Sequence, residues 1–147
     1  MAALVLGKWI VPAADVEPHA PASRLRKLLY VEDQDLNLRL VERILAHRSD
    51  YQLVATMQGC HALDLAREHL PDAILLDLNL PDIPGDEVLR RLKADTKLQG
   101  IPVIMISADA LGDRITQLLD LGAAGYLTKP YRVREFFDCI EKVLGAD

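Results

Sequence analysis

The chain has 147 residues, half of them hydrophobic and 27% charged, with a formal net charge of −5. That is the composition of one globular domain, long enough to bury roughly 70% of its unfolded surface. The acidic balance argues against nucleic acid as the main partner, since such a domain presents a basic face, and the basic runs at 24–27 and 90–93 are short.

The start, MAALVLGKWIVP, is apolar but broken by Lys8. It is too short for a membrane span and lacks the basic start and longer apolar core of a signal peptide, so a cytoplasmic protein without a membrane partner is expected. Residues 11–23, VPAADVEPHAPAS, have no periodicity and read as a Pro/Ala-rich linker. Residues 1–24 are therefore expected to be an N-terminal extension, a docked tail anchored by Trp9 or the remnant of something upstream, and residues 25–147 the domain.

From Leu25 onward strands and helices alternate. KLLYVED is a short apolar strand, and DLNLRLVERILAHR a helix with Leu36, Leu40, Val41, Ile44 and Leu45 on one stripe. YQLVATM reads as a strand and CHALDLAREHL as a helix turning Ala62, Leu63, Ala66 and Leu70 inward. DAILLDL is a third strand, its Ile74-Leu75-Leu76 run fitting burial on both faces. After PDIPG comes a helix carrying Val88, Leu89 and Leu92, then the strand IPVIMIS and a short helix, GDRITQLLDLG, with Gly122 as its C-cap. AGYLTKP is a fifth strand, and VREFFDCIEKVL a last helix with Val133, Phe136, Phe137, Ile140, Val143 and Leu144 at helical spacing. Such alternation with short loops implies an α/β fold, a parallel sheet with helices on both faces. Cys60 and Cys139 fall in helical patterns without metal-ligand spacing and read as small core residues of a reducing compartment.

Ligands of an open α/β sheet bind outside the carboxyl ends of its strands. There the first strand ends in Glu32-Asp33, the third in Asp77 with Asn79 two positions on, the fourth in Ser107 and the fifth in Thr128-Lys129-Pro130. Taken singly, each has a structural reading: an acidic pair at a helix N-terminus, an Asx turn, a loop hydroxyl, a surface lysine. Taken together they converge on one edge. Carboxylates gathered there repel one another unless a divalent cation or a lysine compensates. Mg²⁺ suits one or two carboxylates plus a phosphate, and Lys129 and Ser107 suit phosphoryl oxygens. The set fits phosphoryl transfer onto an aspartate. His19, His47, His61 and His69 fall on the linker or on helix faces and are expected to be solvated.

The motifs YVED, LLDLNLPDIPG, MISA and YLTKP, in that order, resemble those of the receiver domain of two-component response regulators, over roughly residues 25 to 144. The resemblance implies a flavodoxin-like, doubly wound (βα)5 fold with a five-stranded parallel sheet in the order 2-1-3-4-5. It implies Asp77 as phosphoacceptor, and Mg²⁺ held by Glu32, Asp33, Asp77 and the backbone carbonyl of Asn79. Lys129 corresponds to the lysine that pairs with the phosphoacceptor, and Ser107 and Tyr126 to the switch residues. Asn79 and Asp109 occupy positions that tune dephosphorylation, and Pro130 is a candidate for a cis peptide bond. The implied partners are a histidine kinase or phosphotransfer protein and an unknown downstream protein, contacted through the face of the fourth helix, fifth strand and fifth helix, which could also serve a homodimer. The acidic pair is Glu-Asp rather than Asp-Asp, and serine replaces the more usual switch threonine. No output enzyme domain is expected. The alternative is a small Mg²⁺-dependent phosphohydrolase with an aspartyl-phosphate intermediate, and a third reading is a pseudo-receiver that only binds partners.

Overall fold

Each apolar run between turn signals forms a strand: β3 (Arg26–Val31), β4 (Tyr51–Thr56), β5 (Ala73–Asp77), β6 (Val103–Ser107) and β7 (Gly125–Thr128). The amphipathic runs between them form α1 (Asp35–Ala46), α2 (Ala62–His69), α3 (Gly85–Ala94), α4 (Gly112–Asp120) and α5 (Val133–Leu144). The computed structural model describes residues 4–6, 9–11, 25–109 and 111–145. Most of the linker, with His19, lies outside the described residues. Two short strands that the sequence pattern did not announce, β1 (Leu4–Leu6) and β2 (Trp9–Val11), pair antiparallel in a sheet of their own.

The main sheet is wholly parallel in the order β4-β3-β5-β6-β7, the doubly wound arrangement expected. Alternate side chains along each strand feed two cores. Leu29, Val31, Ile74, Leu76, Val103 and Met105 pack with Ala62 and Ala66 of α2, the apolar side of α3 and Leu118 of α4. Leu28, Tyr30, Leu75, Ile104 and Ile106 pack with Val41 and Leu45 of α1 and with Phe136 and Ile140 of α5. Helices on both faces explain why all five residues of β5 are buried. Strand order reverses between β3 and β5, so the crevice outside their carboxyl ends is the binding position for such a sheet.

Two helical stripes differ from the sequence reading. Leu36 and Leu40 are exposed, at 79% and 47%, because α1 seats Leu38, Val41 and Leu45 against the sheet. Leu70 is also exposed, since it is not a helical residue: it caps α2 in the left-handed conformation, φ 46°. Cys60 is exposed in a 3-10 turn at Gly59–His61 rather than in the core, while Cys139 is half-buried. The C-cap of α4 is Leu121, and Gly122, φ 108°, is the left-handed glycine one residue beyond it. His47 and His61 are exposed and His69 partly so. Among the described residues no helix is long and apolar enough to cross a membrane.

This seating of α1 predicts that Leu45→Ala costs about 2–5 kcal/mol, whereas Leu36→Ala stays within about 0.5 kcal/mol. Urea unfolding of the two variants checks it, and a comparable loss in both would show that α1 packs differently.

Candidate active site

The strand ends bring Glu32, Asp33, Asp77 and Lys129 together. Asp77 closes β5 and is 2% exposed, while Glu32, directly after β3, has no exposed surface. Lys129, just past β7, bridges them: its Nζ donates to Asp77 Oδ2 at 3.1 Å and lies 3.1 Å from Glu32 Oε1. The second Asp77 oxygen accepts from the Asn79 N–H at 3.0 Å. Glu32 Oε2 accepts from the Gln34 N–H at 3.1 Å, and Oε1 from the Tyr30 hydroxyl at 2.9 Å. One carboxylate oxygen each from Glu32, Asp33 and Asp77 falls within 4.8 Å of the others.

Burying two carboxylates against one ammonium drives their proton affinities apart. Burial first, and the Glu32 carboxylate second, push the Asp77 carboxyl up to about 6. Burial also works to raise Glu32, but hydrogen bonds from Asp77, the Gln34 backbone and Lys129 outweigh it and hold Glu32 below its ordinary value. Desolvation pulls Lys129 down, and the contacts with Glu32 and Asp77 more than reverse it, so the ammonium stays charged. Three converging hard oxygen donors fit an oxygen-seeking divalent ion such as Mg²⁺, which Glu32, Asp33 and Asp77 would hold and which would relieve the charge excess.

The other sequence-predicted residues sit around this centre. Ser107, 1% exposed, ends β6, and its Oγ accepts from the Asp109 N–H at 3.0 Å. The Asp109 carboxylate accepts from the Leu111 N–H at 2.9 Å, just before α4. The Tyr126 hydroxyl donates to the Asp109 carbonyl, so Ser107 and Tyr126 grip the same residue from two strands. The Lys129–Pro130 bond is cis.

Four neighbours were not singled out from the sequence. Gly85 lets α3 start against the strand end: its N–H donates to the Leu78 carbonyl at 2.9 Å, and a Cβ there would lie 2.7 Å from Leu78 Cα and press into the Asp77 carbonyl oxygen. Asp82, in the same loop, accepts from the Gly59 and Cys60 N–H groups at 2.9 and 2.8 Å and ties the loop to the turn after β4. The PDIPG string was read only as a loop, although a glycine opening a helix beside a strand end is a readable signal. Tyr30, inside the apolar KLLYVED run, and Tyr131, just after Pro130, have hydroxyls 3.5 Å apart behind Glu32.

A family model for the response regulator receiver domain matches residues 28–141, most of the chain. The chain belongs to this family. The receiver is 41% identical over 120 residues to the polar-differentiation response regulator DivK of Brucella anthropi, covering 82% of this chain and 97% of the relative. It is similar to the receiver domain of sensor histidine kinase PA1611 from Pseudomonas aeruginosa PAO1, which has a magnesium ion coordinated in its active site cleft. That match has 30% identity and a TM-score of 0.75, over 84% of this chain and 100% of the other. A phosphorylated cyanobacterial phytochrome response regulator, RcpA, is 34% identical with a TM-score of 0.68, over 78% of this chain and 88% of its own.

Because the Asp77 carboxyl is raised, the folded receiver binds a proton there more tightly than the unfolded chain does. The charged form thus costs stability above about pH 6, and that cost fades as pH falls toward the ordinary value of 3.8. Asp77→Asn, which removes the charge and keeps an acceptor for Lys129, is expected to add about 1–3 kcal/mol near pH 7.5 without divalent metal, with the gain shrinking at acid pH. Denaturant unfolding in chelator across that range checks it, and equal midpoints near pH 7.5 would contradict it. Gly85→Ala is expected to lose about 1–3 kcal/mol through overpacking, measured by the same method, and a neutral result would mean that the strand end yields freely.

Proposed function

We propose that this receiver is a phosphoacceptor switch of a two-component or phosphorelay system, in which Asp77 takes a phosphoryl group from the phosphohistidine of a histidine kinase or phosphotransfer protein. The observation that supports this most is Lys129 Nζ at 3.1 Å from both Asp77 and Glu32, beside three converging carboxylates. Asp77 attacks phosphorus with an oxygen lone pair, the P–N bond breaks, and the imidazole leaves with the bonding electrons and takes up a proton. Glu32, Asp33, Asp77 and the backbone carbonyl of Asn79 are the ligands proposed for Mg²⁺, which when bound supplies positive charge to the transferring oxygens. Lys129 supplies a second positive charge and moves from the carboxylates onto the new phosphate.

An aspartyl phosphate carries nearly two negative charges and accepts new hydrogen bonds. Ser107 meets them by releasing the Asp109 N–H and turning its hydroxyl toward the phosphate. Tyr126 is bonded to the same Asp109, so the loop into α4 changes with it and the face of α4, β7 and α5 reports the event. A downstream protein, or a second copy of the chain, reads that face, and Asn79 and Asp109 tune the lifetime of the phosphate. Residues 25–147 carry this switch in the cytoplasm, with residues 1–24 as an extension. Self-phosphorylation and self-dephosphorylation at Asp77 are the chemistry of this unit.

With Mg²⁺ and acetyl phosphate, the full chain is expected to gain one acid-stable, hydroxylamine-labile phosphoryl group, lost in Asp77→Asn and in chelator. Labelling of the variant equal to wild type, or no labelling of wild type, contradicts the proposal. Sustained turnover of a phosphomonoester would favour the hydrolase instead.

A further inference from the structure

Glu32 is one methylene longer than aspartate, so its carboxylate has an extra torsion to fix before it can serve the site. Something must aim it. Tyr30 lies two residues earlier on β3, on the same side of the sheet. Its ring is wholly buried between the sheet and the helices α1 and α5. A hydroxyl so placed requires a polar partner, and it donates to Glu32 Oε1 at 2.9 Å, while the Tyr131 hydroxyl stands 3.5 Å behind it. Tyr131 is itself fixed, its ring stacked on Phe136 of α5 at 5.8 Å between centroids.

A carboxylate offers about four acceptor sites. Tyr30, Lys129 and the Gln34 N–H occupy three of those on Glu32, and one Glu32 oxygen lies within 4.8 Å of an oxygen of Asp33 and of Asp77. We propose that Tyr30 is a positioning residue of this receiver's metal site: its buried hydroxyl, backed by Tyr131, locks Glu32 in the orientation that accepts Mg²⁺. This rests on the reading of Glu32, Asp33 and Asp77 as metal ligands. Tyr30 acts through Glu32, to which its hydroxyl is bonded.

The test is Tyr30→Phe, which keeps the ring and removes the hydroxyl. Loss of a hydrogen bond that orients a metal ligand weakens metal binding about 10- to 100-fold. Isothermal titration of the metal-free full chain with MgCl₂ is therefore expected to show a Kd at least about tenfold higher. In acetyl phosphate labelling, the half-saturating Mg²⁺ concentration should rise far more than the maximal rate falls. In a Glu32→Asp background, whose shorter carboxylate falls away from the Tyr30 hydroxyl, adding Tyr30→Phe should change the Kd by less than about twofold. An unchanged Kd in Tyr30→Phe, with or without lost thermal stability, overturns the proposal, as does a full tenfold effect persisting in Glu32→Asp. Wild type that binds no Mg²⁺ overturns it together with the reading it rests on, which distinguishes the two failures.

Discussion

One ammonium between two buried carboxylates is the constraint on which the rest of the molecule turns. Neither Glu32 nor Asp77 has the solvent that would ordinarily stabilise its charge, and Lys129 reaches both at 3.1 Å. The balance is deliberately incomplete: with Asp33 beside them, three carboxylates face a single lysine. A buried pair of this kind contributes little net stability, because desolvation offsets the attraction. What it provides is a site in deficit of positive charge, which on the proposed function a divalent ion would correct and a phosphoryl group would rearrange. A group that relocates one lysine between two partners can shift a conformational equilibrium by its differential interaction with the two states.

The fold supplies the precision this requires. Parallel strands buried on both faces hold their carboxyl ends in fixed register, so residues far apart in sequence meet without a dedicated loop. The loop after Asp77 is pinned twice, by Gly85 against the strand end and by Asp82, within the loop, on the turn after β4. On the opposite side, Ser107 and Tyr126 both bind Asp109. The pinned side of the site therefore belongs to Asp77, and the hydrogen bonds of Ser107 and Tyr126 lie on the side toward α4.

Much of this was legible in the chain itself, for identifiable reasons. Ile74-Leu75-Leu76 ending in an aspartate reads as a doubly covered strand with a carboxylate at its mouth, and it was the joint occurrence of polar residues at the ends of β3, β5, β6 and β7 that pointed to a site rather than to separate turn residues. Local periodicity was less informative where an element's apolar side is ambiguous. Leu36 and Leu40 keep helical spacing with Ile44, but the sheet contacts the neighbouring Leu38–Val41–Leu45 line. Leu70 looked like the next turn of α2 because a left-handed leucine leaves no trace in hydropathy. Tyr30 was hidden for a different reason: its ring satisfies the core pattern, and only coordinates show that its hydroxyl ends on Glu32. Three-residue strands such as β1 and β2 are too short to carry a period.

The most direct measurement is a crystal structure of the full chain with Mg²⁺ and beryllium trifluoride, a stable mimic of a phosphoryl group. The expected result is the fluoride group on an Asp77 carboxylate oxygen, Lys129 Nζ drawn off Glu32 onto a fluorine, and the metal ion among Glu32, Asp33 and Asp77. A mimic bound elsewhere, with Lys129 still bridging Glu32 and Asp77, would contradict the assignment of Asp77 as the phosphoacceptor.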